Sequence, residues 1–307
     1  MPVSFGEEKE FLYLYHYNPR PLINFLRDRY QQDEEKLQRI LADRVRVNGV
    51  WVPGETLLQK GDAISYTHRR SDEKVVPPPL QVIYEDDDLL AISKPANLPV
   101  TPSGNYYFNS LAIHCKEVFH NPSLNPLHRL DLETSGVLAF GKHKAANRLF
   151  QPMFAEKRMK KRYQALVFGA PPLGLIEGDL VEDPASQIHS KRFLRQVPHP
   201  TSQSIIHEVL PQGPYSLVTL EPVTGKTNQL RVHLAALGCP IVGDKKYYPD
   251  ESVYLDWYEH HDLSRILDRV KLPRQALHCS SLRFEHPLTG QWIEIHDNLD
   301  LSQWQLQ

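Results

Sequence analysis

The sequence predicts an α+β protein of two domains: a small helix-and-hairpin domain over residues 1–76 and a larger one over 80–307 with a mixed, largely antiparallel sheet. Three observations carry this. At 307 residues the chain has room for about two domains. Three prolines in a row, Pro77 to Pro79, follow the charged stretch Arg69 to Lys74 and cannot continue a helix or a central strand, which puts the boundary there. Beyond them, several short apolar runs follow one another without a helix between, a pattern of α+β rather than of alternating βαβ units.

In the first domain, Pro21 suits the first turn of a helix, and Leu22, Ile23 and Leu26 then share one face. Leu37, Ile40 and Leu41 repeat the i, i+3, i+4 spacing in a second helix. The period then changes. Val45 and Val47 alternate, Asn48-Gly49 follows, and Val50 and Val52 alternate again. That predicts a hairpin, because a type I′ turn needs positive φ at both central residues. Gly61-Asp62 opens a further strand over 63–66. In the second domain, strands are predicted at 81–84, 89–93, 136–140, 163–168, 204–210, 216–222 and 292–296. Helices are predicted at 108–119, 144–155, 227–236 and 264–270, with Thr227 capping the third.

Composition narrows the function. The 35 basic and 37 acidic residues leave a net charge of −2, which argues against a polycationic nucleic-acid coat but not against a local basic site. Apolar residues run along the whole chain, against disorder. The three cysteines, Cys115, Cys239 and Cys279, form no CxxC pair and fit a reducing, cytoplasmic compartment. The first ten residues lack the apolar segment of a signal peptide, and no uncharged apolar run reaches the ~18 residues of a membrane span. Some apparent motifs fail on inspection. Gly225-Lys226-Thr227 resembles the end of a phosphate-binding loop, but Leu220 stands where that loop needs a glycine. His207-Glu208 begins a zinc-protease pattern whose second histidine is replaced by Pro211. His260-His261-Asp262 lies on a polar segment and reads as a solvated surface, so no metal is expected.

Three strings carry chemistry. His128-Arg129-Leu130-Asp131-Leu132-Glu133-Thr134-Ser135-Gly136 is a polar loop feeding an apolar strand, the place where a scaffold presents side chains, although by composition alone it is a turn. Thr224 to Leu234 sets Arg231 beside the inward-facing Leu230 and Leu234. Lys160-Lys161-Arg162-Tyr163 starts a strand with a tyrosine among bases, and lies in a stretch, 141–170, holding eight Lys or Arg and the single acid Glu156.

Together these strings resemble the RluA-type family of RNA pseudouridine synthases. His128–Gly136 matches every fixed position of that family's HRLDxxTSG motif; Lys161 to Val167 is similar to its K-x-Y-x-A-x-V motif; Gly225 to Leu234 resembles its third motif. Leu237 to Asp244, Ser93 to Val100, Gln275 to His278 and His286-Pro287 resemble further segments in the same order. Asn97 and Thr101 depart from the first motif, where glycine and histidine are usual. The N-terminal domain is similar to the S4 RNA-binding module that many members carry.

The resemblance implies the pseudouridine synthase fold and an isomerase that turns a uridine of rRNA or tRNA into pseudouridine, with no cofactor. The enzyme is expected to be a monomer acting on RNA, away from membranes. Asp131 is implied as the catalytic carboxylate, whether nucleophile or base, and Arg231 as the cation that favours its charged form and fixes its position. Tyr163 is implied as the active-site aromatic; stacking holds a detached base with ~1–3 kcal/mol and still lets it turn in its plane. Arg129 is expected to fill the space left by a flipped-out uridine, Leu230 to wall the pocket, and His128 to position the loop or merely pack there. Lys157, Arg158, Lys160, Lys161 and Arg162 are expected to form a phosphate-binding rim. Two rivals use the same residues, a non-catalytic RNA-binding protein and a glycosidase that releases uracil.

Overall fold

The computed structural model describes residues 6–30, 34–73, 80–103, 106–188, 190–298 and 304. The expected boundary at Pro77 to Pro79 lies outside them. The chain divides into two compact units, Met1–Val75 with Ser103–Asn109, and Val76–Pro102 with Ser110–Gln307.

The first unit holds strand β1 (Glu8–Leu14), the two-residue β2 (Arg20–Pro21), helices α1 (Leu22–Tyr30) and α2 (Glu34–Asp43), and strands β3 (Val45–Val47), β4 (Leu57–Leu58) and β5 (Ala63–Arg69). Leu22, Phe25 and Leu26 of α1 share a buried core with Leu37, Ile40 and Leu41 of α2, as their spacing requires. Asn48 and Gly49 take φ of 52° and 79°, and Val47 bridges Val50 across the turn. The hairpin stops there, contrary to expectation. Val50 is exposed and Pro53 follows, so residues 50–52 form no second arm and β3 pairs with β5 instead. Asn48 reinforces that choice: its side chain accepts from the Ala63 amide and donates to Asp62. Strand β1, unforeseen, runs antiparallel to β5; Leu12 and Leu14 are exposed, so it lacks a clean apolar alternation. The segment Ser103–Asn109 groups with this unit for an electrostatic reason. The buried Glu73 carboxylate accepts the amides of Tyr107, Phe108 and Asn109 and faces His68.

The second unit contains β6 (Gln81–Glu85), β7 (Leu89–Lys94), α3 (Leu111–Val118), β8 (Asn125–Pro126), β9 (Ser135–Gly141), α4 (Lys144–Ala155) and β10 (Lys160–Phe168). There follow β11 (Gly174–Glu182), β12 (Arg192–Arg195), β13 (Ser202–Gln212), β14 (Tyr215–Pro222) and α5 (Gln229–Ala236). It ends with α6 (Ser252–His260), α7 (Leu267–Val270), β15 (Leu277–Glu285) and β16 (Trp292–His296). The main sheet runs β12-β11-β13-β14-β10-β15-β9-β7-β6, with β16 on β15 and β8 on β9. Its pairs are antiparallel except β15 with β9, which is the α+β, largely antiparallel class expected. Strand β9 is buried along its whole length. Where it meets β15, Gly136 has φ of 116°, and a Cβ there would lie 2.3 Å from the Cys279 carbonyl oxygen, so only glycine lets the two strands approach.

Strands β11, β12 and β15 and helix α6 were not foreseen. In β15 the buried positions include His278 and Ser281, which hydropathy does not mark as core. The expected helix over 264–270 splits into a 3-10 turn at Leu263–Arg265 and α7. Helix α3 begins at Leu111, because the preceding residues are held by Glu73. Thr227 does not cap α5. Asn228 occupies that place in a left-handed conformation, φ 57°, while the Gln229 side chain accepts the Lys226 amide and the Thr224 hydroxyl.

Candidate active site

The polar loop before β9 is anchored at nearly every residue. His128 Nε2 accepts the Ala139 amide at 3.2 Å, and its ring stacks on Phe154 with centroids 4.7 Å apart. Burial, with Lys161 nearby, holds the imidazole well below its ordinary pKa, so it stays neutral. Lys94, fully buried at the end of β7, donates to the carbonyls of Leu132 at 3.2 Å and Thr134 at 2.7 Å. Glu133 accepts from Lys245 and from the Gln275 amide; Thr134 Oγ1 accepts from Gln275; Ser135 meets His278. Asp131 stands between these anchors with its side chain 29% exposed.

Opposite it is Arg231, carried by the first turn of α5. The buried Leu230 and Leu234 pin that helix to the core. Arg231 Nη1 donates to Asp131 Oδ2 at 3.0 Å, across 100 residues of sequence. Its Nε and Nη2 grip Asp244 at 2.6 and 2.9 Å, a two-point pair with a carboxylate that has no exposure. The guanidinium also lies 4.9 Å over the Tyr247 ring, and Asn228 Oδ1 accepts from Nη1. Burial opposes the charge, but Asp244 and Asp131 outweigh it and raise the arginine's pKa. Asp244 thus fixes the guanidinium plane, leaving Nη1 aimed at Asp131.

Asp131 and Arg231 open on a cavity of about 130 Å³. Leu130, Leu230, Leu277 and Tyr163 give it apolar walls. Burial keeps the Tyr163 phenol well above its ordinary pKa, with Cys279 and Asp131 acting in the same direction. A phenol so held offers an aromatic face and a hydroxyl donor at neutral pH, and is poorly suited to take a proton. Arg129, Lys161 and Lys226 reach the same cavity. A carboxylate, a guanidinium and an apolar wall with an aromatic ring can hold a planar heterocycle and act on the carbon beside it.

The structure therefore brings Asp131, Arg231, Tyr163, Leu230, Arg129 and Lys161 to one cavity. His128, Lys157 and Lys160 line an adjoining groove. Arg158 and Arg162 line neither: Arg158 pairs with Glu156 on the exposed turn, and Arg162 is an exposed residue of β10. Three residues escaped the sequence reading of the site. Asp244 and Lys94 lay within recognised segments, but nothing in their spacing marks a buried charge. Lys226 sat in the rejected phosphate-loop look-alike. His260 pairs with Asp256, on its own helix. A potential metal-ligand group, Asp86, Asp88 and His286, is separate from the cavity. His286 Nδ1 accepts the Leu288 and Thr289 amides, which leaves the ring proton on Nε2, toward Asp86.

A family model described as RNA pseudouridylate synthase matches residues 88–236. The dual-specificity RNA pseudouridine synthase RluA of Pasteurella multocida is 35% identical over 222 residues, 70% of this chain and 91% of that protein. The ribosomal large subunit pseudouridine synthase D of Vibrio vulnificus is 30% identical over 268 residues, 84% and 80% of the two chains. Among solved structures, human RNA pseudouridylate synthase domain containing 1 aligns with a TM-score of 0.56 at 25% identity, covering 75% of this chain and 89% of that one. The chain belongs to the RNA pseudouridine synthases, isomerases that act on uridine in RNA. Within that class its relatives are of the RluA and RluD type. Among the described residues no helix is long and apolar enough to cross a membrane.

Proposed function

We propose that this chain isomerises a flipped-out uridine of ribosomal or transfer RNA at the cavity between Asp131 and Arg231. In the reaction the N1–C1′ bond breaks, the uracil turns, C5 bonds to C1′, and the C5 proton is exchanged for one on N1. Atoms balance, so the reaction needs no cofactor. Asp131 is the reacting carboxylate, as nucleophile or as base. Arg231 holds it, Tyr163 stacks against the detached base, Leu230 walls the pocket, and Arg129 fills the vacated stack. His128 fixes the loop. Lys157, Lys160 and Lys161 supply the phosphate-facing charge; Arg158 and Arg162, which line neither the cavity nor the groove, are left out of that role. The observation that carries the reading is the Asp131–Arg231 contact at 3.0 Å on the wall of an open cavity.

The same reading covers the rest of the chain. Residues 1–76 form an S4-like RNA-binding domain, for which the two packed helices followed by β3, the Asn48-Gly49 turn and β5 are the support. Residues 80–307 are the catalytic domain. The enzyme works as a monomer in the cytoplasm. The test is incubation with RNA carrying tritium at C5 of uridine. Tritium release with pseudouridine in the digest is the expected result. Free uracil would mean a glycosidase, and neither product would mean an RNA-binding protein without this chemistry.

A further inference from the structure

The cavity at Asp131 does not end the channel. A groove of about 800 Å³ adjoins it, and Arg129, Lys161, Pro222, Thr224, Gly225 and Lys226 line both. The floor of the groove is apolar, from Leu127, Phe154, Met159 and Ile205. Around that floor stand five cations, Arg129, Lys157, Lys160, Lys161 and Lys226, and none has an ion pair among the described residues. The acid on the same wall, Glu221, faces His207 at 3.1 Å.

Lys161 is the odd member. Burial lowers its pKa, yet among the described residues no hydrogen bond or carboxylate meets its ammonium; the Phe154 ring lies 5.6 Å away. It lies two residues from Tyr163 on β10, and both line the smaller cavity. A sheltered cation that meets no carboxylate among the described residues, at the junction of a base-sized pocket and a basic groove with an apolar floor, lacks one thing: an anion tied to a flat apolar group. A nucleotide is such a group.

Resting on the pseudouridine synthase reading, we propose that the groove carries the single-stranded RNA adjoining the flipped uridine, and that Lys161 binds the phosphodiester joining that uridine to its neighbour. The strand enters the smaller cavity with its target base and leaves along the groove, with Lys157, Lys160 and Lys226 on later phosphates. Lys161 is then the residue that registers the target against the flank, rather than one more charge on a rim.

The test uses the full chain and a stem–loop RNA that the wild type converts, found by mapping pseudouridine in total cellular RNA incubated with the protein. Each linkage flanking the target uridine is made in turn as an uncharged methylphosphonate, and binding is measured by fluorescence anisotropy over a range of salt. One of the two substitutions is expected to weaken wild-type binding about tenfold. Lys161→Met is expected to weaken it as much on unmodified RNA, to lower the salt slope by about 0.7–0.9, and to lose nothing further on the modified RNA. Lys161→Arg is expected to keep both the affinity and the sensitivity. Losses that simply multiply, or an unchanged salt slope, would overturn the proposal. Should Lys161→Met fail to fold, indifference of the wild type to both methylphosphonates would do the same. Conversion of unmodified RNA without any such coupling sinks this inference alone; absence of conversion of any RNA sinks the enzymatic reading with it.

Discussion

Asp244 has no exposure and no place on the cavity wall, yet its carboxylate sets the plane of the guanidinium that meets Asp131. Replacing it leaves Arg231 with half of its counter-charge in a buried site, a change that typically costs ~3–5 kcal/mol. Asp244→Asn is therefore expected to lower the single-turnover rate by about 10²-fold while RNA affinity changes little; a rate within twofold of wild type would show that Arg231 is held otherwise. Lys94 acts on the same loop from behind. Burial brings its ammonium down to about 7, with the charge of Asp131 opposing that shift. The protonated form donates to the carbonyls of Leu132 and Thr134, just beyond Asp131, so raising the pH through about 7 removes a donor and loosens the loop. A fall in rate centred near that pH, absent from Lys94→Met, is the expected profile; the same profile in both would exclude Lys94 as its source. At this scale Asp131, Tyr163 and Arg231 were legible because they stand in contiguous motifs. Asp244 and Lys94 were not, because a charge reveals its burial only through partners far away in sequence.

Elements were legible where one face is apolar and opaque where the core is polar. Helices α2 and α4 follow their periodicity. Strand β15, inserted between β10 and β9, went unseen because His278 and Ser281 are buried there, His278 with hydrogen-bond partners that hydropathy does not record. The hairpin after β3 failed for another reason: its turn formed, but β5 competed successfully for the strand. Helix α5 gives a testable case of a buried polar group. His233 has no exposure, touches Ser202, and is pushed by burial from 6.5 down to about 4. Between those values the unfolded chain binds a proton that the folded chain refuses. Stability is therefore lost as pH falls through that window, by on the order of 3 kcal/mol. Urea unfolding of the wild type from pH 7 to 4 is expected to show that slope, and His233→Gln a shallower one; equal slopes would contradict it. Gly136→Ala is expected to destabilise by more than ~3 kcal/mol, because its Cβ would meet Cys279 backbone. A smaller loss would mean that β9 and β15 can part.

At the scale of the whole molecule, a net charge of −2 conceals a cationic groove. The sequence showed the run from Lys142 to Arg162 but could not separate the residues that face the groove from Arg158 and Arg162, nor add Arg129 and Lys226 from distant segments. If the groove is the RNA path, replacing Lys157 and Lys160 by alanine lowers the salt slope of binding by about 0.7–0.9 for each phosphate deprived of its lysine, whereas Arg158→Ala barely moves it. The reverse ranking would place the path elsewhere. The proposed chemistry as a whole turns on the carboxylate of Asp131. The most direct measurement is therefore tritium release from C5-labelled uridine RNA by Asp131→Asn, with the affinity for the same RNA measured beside it. Release at least 10³-fold below wild type, with affinity within a few-fold, is the expected result. A variant that still makes pseudouridine at a rate near wild type would contradict it.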